Sequence, residues 1–264
     1  MLGAIIGDIV GSVYEFNNIR TKDFPLFSVY SRMTDDSIMT LAVLDILQNG
    51  YIYDKDKIID TFKKWGERFP RAGYGGSFYH WVLGKDREPY GSYGNGSAMR
   101  VSACGWYGKT EEEVKDFARR VTEVTHNHKE GIKGAIVTAM CVYFARTGRT
   151  KDFIREYVKD YYDIDFDYED LRQNYYFNET CQNTVPQAIY CFLISKNFED
   201  CLRTSISIGG DSDTLSAISC AIAEAYYGIP EAILNEGLSI ASRGGTEVES
   251  ILSKFIEYKK ELGE

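Results

Sequence analysis

Apolar residues recur along most of the chain with the three-to-four-residue spacing of helices, and no run alternates as an exposed strand does. Ser37–Gln48 (SIMTLAVLDILQ) predicts an apolar helix beginning just after Thr34-Asp35-Asp36. Asp54–Phe69 is amphipathic and stops at Pro70, where proline ends a helix. Glu111–Val124 opens on three glutamates, which suit the positive end of a helix dipole. Gly131–Thr147 is strongly apolar and predicts a central helix. Lys151–Tyr162, Pro186–Ser195, Phe198–Ile208, Thr214–Tyr227, Pro230–Ala241 and Glu247–Leu262 complete the set. Pro186 and Pro230 fall where proline is tolerated, in a first helical turn.

The breaks in this pattern are as informative as the runs. Arg71–Ser77 (RAGYGGS) and Gly91–Ser97 (GSYGNGS) cannot be helix interiors and predict shaped loops. Asp163–Glu179 is acidic and tyrosine-rich, an expected surface excursion. Near the start, Gly3, Gly7 and Gly11 mark one helical face, the pattern of close backbone packing. The same spacing puts Asp8 and Glu15 on a common face. The expectation is an all-α fold, one compact helical domain over residues 1–264.

Composition narrows the function. A formal charge of −9 argues against bare nucleic acid, whose phosphates need a Lys/Arg surplus. Six cysteines stand far apart without C-x-x-C pairs, and four of them, inside apolar helical runs, read as buried hydrophobes in a reducing compartment. No basic leader precedes the first apolar run, and Met1–Val13 is too short to span a bilayer. A cytoplasmic protein without membrane contact is expected.

Two clusters carry candidate chemistry. Thr34-Asp35-Asp36-Ser37 and Gly209-Gly210-Asp211-Ser212-Asp213-Thr214 each lead a loop into a helix. Either alone also reads as helix capping. Together with Glu15 they offer five carboxylates and two threonine hydroxyls. Such hard oxygen donors suit Mg²⁺ or Mn²⁺ rather than structural zinc. If these carboxylates converge, their mutual repulsion calls for a cation, and two ions would neutralise them better than one. The chain lacks the paired Glu-x-x-His motifs of ferritin-like sites, a His-Asp dipeptide, and a third acid after Asp35-Asp36.

These motifs, taken in order, resemble the ADP-ribosylglycohydrolase family. They are Gly3–Asp8 with Gly11 and Glu15, Thr34–Ala42, Gly94–Arg100, Thr125-His126 before Gly131, Thr184–Ala188 and Gly209–Thr214. The resemblance implies metal ligation by Thr34, Asp35, Asp36, Asp211, Asp213 and Thr214, with two Mg²⁺ (or Mn²⁺) ions in a cleft. It implies an ADP-ribose contact surface at Gly94, Asn95, Gly96, Ser97, Met99 and His126. Glycines there would let backbone N–H groups approach phosphate oxygens. His126 also reads as a core histidine, and Arg100 as a partner for either phosphate or an acid. Ala103-Cys104 and Lys129 stand where the family often has proline.

The implied reaction is hydrolysis of the glycosidic bond joining ADP-ribose to a modified target, a protein or a small molecule. Positive charge develops at the anomeric carbon, and Glu15 or Asp36 would take the proton of the attacking water. Arginine-linked ADP-ribose is the favoured substrate, since a cationic leaving group suits an acidic rim and Tyr74, Tyr90 or Tyr93 could stack on it. The alternatives are serine, nucleobase or small-molecule linkages, or an inert ADP-ribose-binding module on the same scaffold.

Overall fold

The computed structural model describes residues 1–263. Among them lie fifteen α-helices and no strand, only an isolated bridge between Gly94 and Thr180. In chain order the first eight are α1 (Leu2–Gly11), α2 (Asp35–Gln48), α3 (Lys55–Arg68), α4 (Gly76–Leu83), α5 (Gly96–Met99), α6 (Ser102–Tyr107), α7 (Glu111–Glu123) and α8 (Lys129–Arg146). The rest are α9 (Lys151–Lys159), α10 (Tyr168–Asn174), α11 (Val185–Ile194), α12 (Phe198–Ser207), α13 (Ser212–Tyr227), α14 (Glu231–Ala241) and α15 (Thr246–Glu261).

The all-α expectation holds, with adjustments at the glycine stretches. Gly76 and Ser77 already belong to the first turn of α4, and Gly96 and Ser97 to that of α5. Glycine-rich loops thus feed straight into helix starts, where backbone N–H groups are unpaired. The acidic excursion also contains α10, capped by the Asp167 side chain. Pro230 lies one position before its helix, at the N-cap of α14.

The glycine face of α1 serves packing. Helix α13, rich in Ser and Ala, runs against it so closely that a methyl carbon at Gly11 would lie 2.5 Å from Asp213 Cα. Gly7 would collide with the Ser216 carbonyl. Both helices are buried along nearly their whole length. This contact brings the end of α1 beside the start of α13. Helices α2, α8, α11 and α12 then pack around the pair. Among the described residues no helix is long and apolar enough to cross a membrane.

Candidate active site

Three chain segments meet at the start of α13. The first is the turn after α1. That helix ends at Gly11, so Glu15 does not share a helical face with Asp8. A turn places it instead, locked by Asn18. The Asn18 amide donates to the Gly210 carbonyl at 2.8 Å and its Oδ1 accepts the Gly210 N–H at 2.7 Å. Gly210 and Gly209 hold φ of 75° and 72°, a left-handed conformation that side chains disfavour. A side chain at Gly209 would strike the Arg20 guanidinium, and one at Gly210 the Tyr175 ring. The double-glycine turn therefore delivers Asp211 and Asp213 to the spot that Glu15 reaches.

The second segment begins α2. Thr34 caps that helix and its hydroxyl donates to Asp8 Oδ1 at 2.5 Å. Asp8 Oδ2 accepts the Thr34 and Ser37 N–H groups at 2.9 and 3.1 Å, and the Ser37 hydroxyl as well. A carboxylate buried in α1 thus anchors the entry of α2 through four bonds. Asp36 Oδ2 accepts the Thr214 hydroxyl at 3.2 Å, joining positions 178 apart in the chain. Its Oδ1 is buried and has no partner.

Carboxylate oxygens of Asp8, Asp36 and Asp213 lie within 4.8 Å of one another, as do those of Glu15, Asp211 and Asp213. Burial, then the Asp213 charge, pushes Glu15 up to about 8. Burial pushes Asp211 up to about 7, against hydrogen bonds to its charged form that include Asn95 Nδ2 at 2.6 Å. Asp35, Asp36 and Asp213 are raised well above the ordinary range by burial and then by neighbouring carboxylate charge: Asp213 and Asp8 for the first two, Asp211 and Asp8 for Asp213. These hard-oxygen groups could hold a cation, and the buried Asp36 Oδ1 has no hydrogen-bond partner to satisfy it.

These carboxylates close one end of a cleft of about 340 Å³. The third segment, the Gly94–Met99 loop, forms another wall, pinned by the Asn95 N–H to the Glu179 carbonyl at 2.7 Å. Gly94, Asn95, Gly96, Met99 and His126 line the cleft, with Glu15, Asp35, Asp36, Asp211, Asp213 and Thr214. Two anticipated residues do not. The Ser97 hydroxyl turns inward, donating to the Gly131 carbonyl at 2.9 Å, and the Thr34 hydroxyl serves Asp8.

His126 is buried, and burial with the nearby Arg100 charge holds its pKa well below the usual histidine value. Arg100 pairs with no carboxylate among the described residues, and it lines the cleft. Fully buried and stacked on Phe62 at 4.6 Å, it donates to the Val121 carbonyl and to Thr125 Oγ1. Of the three tyrosines, Tyr74 and Tyr90 line the cleft. Tyr93 stands by His128, their rings 5.2 Å apart.

Sequence reasoning missed two contributors and the role of a third. The spacing pairs Asp8 with Glu15 but does not show it as the anchor of the α2 entry, although a carboxylate inside an apolar helix signals an obligatory partner. Phe16 and Phe177 stack at 5.9 Å and both line the cleft. Phe16 is 85% exposed, and nothing in the spacing pairs it with Phe177.

The fold and this site define a helical protein with an oxygen-donor acidic cleft beside a glycine-rich loop. The family model for ADP-ribosylglycohydrolase matches residues 1–261. The chain belongs to that family and is an enzyme that hydrolyses glycosidic linkages of ADP-ribose. It is 28% identical to mouse ADP-ribosylhydrolase ARH3, over 88% of this chain and 83% of that protein. It is 24% identical to the ADP-ribosyl-dinitrogen reductase glycohydrolase of Rhodospirillum rubrum, over 87% and 85%. A solved ADP-ribosylglycohydrolase-related protein complex shares the fold, with a TM-score of 0.63 and 21% identity over 95% of this chain and 93% of that one.

Proposed function

We propose that the chain, acting as one domain, is a Mg²⁺- or Mn²⁺-dependent hydrolase that frees ADP-ribose from a modified protein or small molecule, with arginine-linked ADP-ribose its preferred substrate. The observation that carries the metal assignment is the buried Asp36 Oδ1, without a partner amid five crowded carboxylates. Asp35, Asp36, Asp211, Asp213, Thr34 and Thr214 would hold two ions, with Asp8 fixing the α2 entry. Bound divalent cations would offset the crowded charge and polarise substrate oxygens.

The remaining work falls to side chains. Glu15 is the most open of the carboxylates grouped with Asp213, so a water in the cleft can reach it and give up a proton. Asp36 is nearly inaccessible, which favours Glu15 as the base. Water adds its hydroxide to the anomeric carbon while Glu15 takes the proton. As the carbon–nitrogen bond breaks, its electron pair stays on the leaving nitrogen, which takes up the proton that Glu15 removed from the water. Elsewhere in the cleft lining, Arg100 donates to Thr125 Oγ1 at 2.7 Å, and that hydroxyl meets His126 Nδ1 at 2.8 Å. If the hydroxyl donates onward, Nε2 keeps its proton beside Gly94 and Gly96 and is a neutral donor for the ligand's oxygens.

The arginine preference rests on the acidic rim, including Glu15 and Glu179, and on the exposed Phe16–Phe177 pair, which offers a face to a planar guanidinium. Six free, buried cysteines support a reducing compartment such as the cytoplasm. The test is ADP-ribose release from matched arginine-, serine- and nucleobase-linked substrates, with and without Mg²⁺. Full activity after chelation sinks the metal assignment, and faster cleavage of the serine-linked peptide sinks the preference.

A further inference from the structure

A second cavity, of about 440 Å³, is lined by residues on either side of the Thr34–Asp36 segment, Ser31–Met33 and Ile38. It is framed by the segment before α2, by the chain that follows α3 and by the end of α14. Arg32, Arg68, Arg71 and Arg243 border it, and no Asp or Glu does, in a chain with a formal charge of −9. Arg68 is tied to Glu247 at 2.6 Å. Among the described residues, Arg32, Arg71 and Arg243 form no ion pair, and Arg32 reaches only the neighbouring Met33 carbonyl, at 3.4 Å. Three of these guanidiniums lack an ion-pair partner among the described residues, and a phosphate-bearing anion offers paired acceptors for their N–H groups.

The floor is apolar. Met33, Ile38, Phe69 and Ile240 line it, and Phe69 is held flat against Trp65, 5.9 Å between ring centres. A basic rim over an aromatic, aliphatic floor suits a ligand that joins phosphates to a flat ring. The volume falls within the range of small-molecule sites, about 300–1,000 Å³. We infer that this cavity is a second ligand site, separate from the acidic cleft, for an anion of the nucleoside-diphosphate class. The guanidiniums take the diphosphate and the floor takes the base. The site shares a wall with the cleft: the Ala72 carbonyl accepts the Asp35 N–H at 3.1 Å.

The test is calorimetric titration of ADP into metal-depleted protein at low ionic strength, where the uncompensated carboxylates repel anions from the cleft. One equivalent binds, and binding weakens about tenfold or more in Arg71→Gln/Arg243→Gln, through lost charge-assisted bonds. Binding is unchanged in Asp36→Asn. Both arginines are exposed, so circular dichroism of the double variant matches the parent; the single Arg243→Gln variant, weakened by a smaller factor, guards against misfolding. Pyrophosphate binds more weakly than ADP, and equal binding would overturn the role of the floor. No binding to the parent, equal binding by the arginine variants, or loss in Asp36→Asn overturns the site itself.

Discussion

Replacing Asp213 with Asn should stabilise the metal-free protein and abolish most of its response to Mg²⁺. Asp213 belongs to both carboxylate groups, and its oxygens lie within 4.8 Å of those of its neighbours. Two unit charges at that separation repel by about 3 kcal/mol at an effective dielectric of about 20. The raised pKa values of the neighbours show that protonation already relieves part of this, so a gain of about 1–2 kcal/mol is expected in the metal-free state. For a chain of this size that raises Tm by a few degrees, about 2–4 °C per kcal/mol. Metal reverses the order. At 100 times its dissociation constant, Mg²⁺ stabilises the parent by about 2.7 kcal/mol. If the substitution weakens binding about a hundredfold, the same Mg²⁺ contributes only about 0.4 kcal/mol. The assay is thermal unfolding of both proteins, chelated and in Mg²⁺, at pH 7.5. A variant less stable than the parent when chelated, with an undiminished Mg²⁺ shift, refutes the convergence of these charges on a cation.

Other outcomes follow from the same geometry. Because Asp211 and Glu15 are raised to about 7 and about 8, the folded metal-free protein holds protons that the unfolded chain releases near pH 4. The stability they contribute is complete below pH 4 and is lost as pH rises toward 7 and 8. Mg²⁺ replaces those protons, so the Mg²⁺-induced rise in Tm should grow between pH 5 and pH 8; a flat or falling profile contradicts it. Gly7→Ala drives a methyl group into the Ser216 carbonyl and should cost about 1–3 kcal/mol or more, seen as a lowered urea midpoint, whereas Gly50→Ala, in open space but at a φ of 68°, costs only its backbone strain, about 1 kcal/mol. His126→Ala should raise KM for ADP-ribosyl substrates by removing a contact on the cleft wall, with the Mg²⁺ shift intact; loss of that shift would show that His126 serves the metal end instead.

Much of this molecule was legible in one dimension. Helix positions follow from apolar spacing, because a helix shows its buried face in the order of its residues. The starts of α2 and α13 announced themselves, since threonine, aspartate and paired glycines are the residues that helix entries and left-handed turns require. The Gly3-Gly7-Gly11 face implied a close neighbour without naming it. Tertiary structure chose α13 as that neighbour, and this choice sets the Asp36–Thr214 contact across 178 positions. It also decided that a turn clasped by Asn18, not a helical face, brings in Glu15. Asp8 became an anchor for α2, Arg100 was committed to the Val121 carbonyl and Thr125, and arginines from three separate segments gathered around one cavity. Local pattern records what each segment must bury. Which segments bury it together depends on packing between residues far apart in the chain, and the active site consists of those encounters.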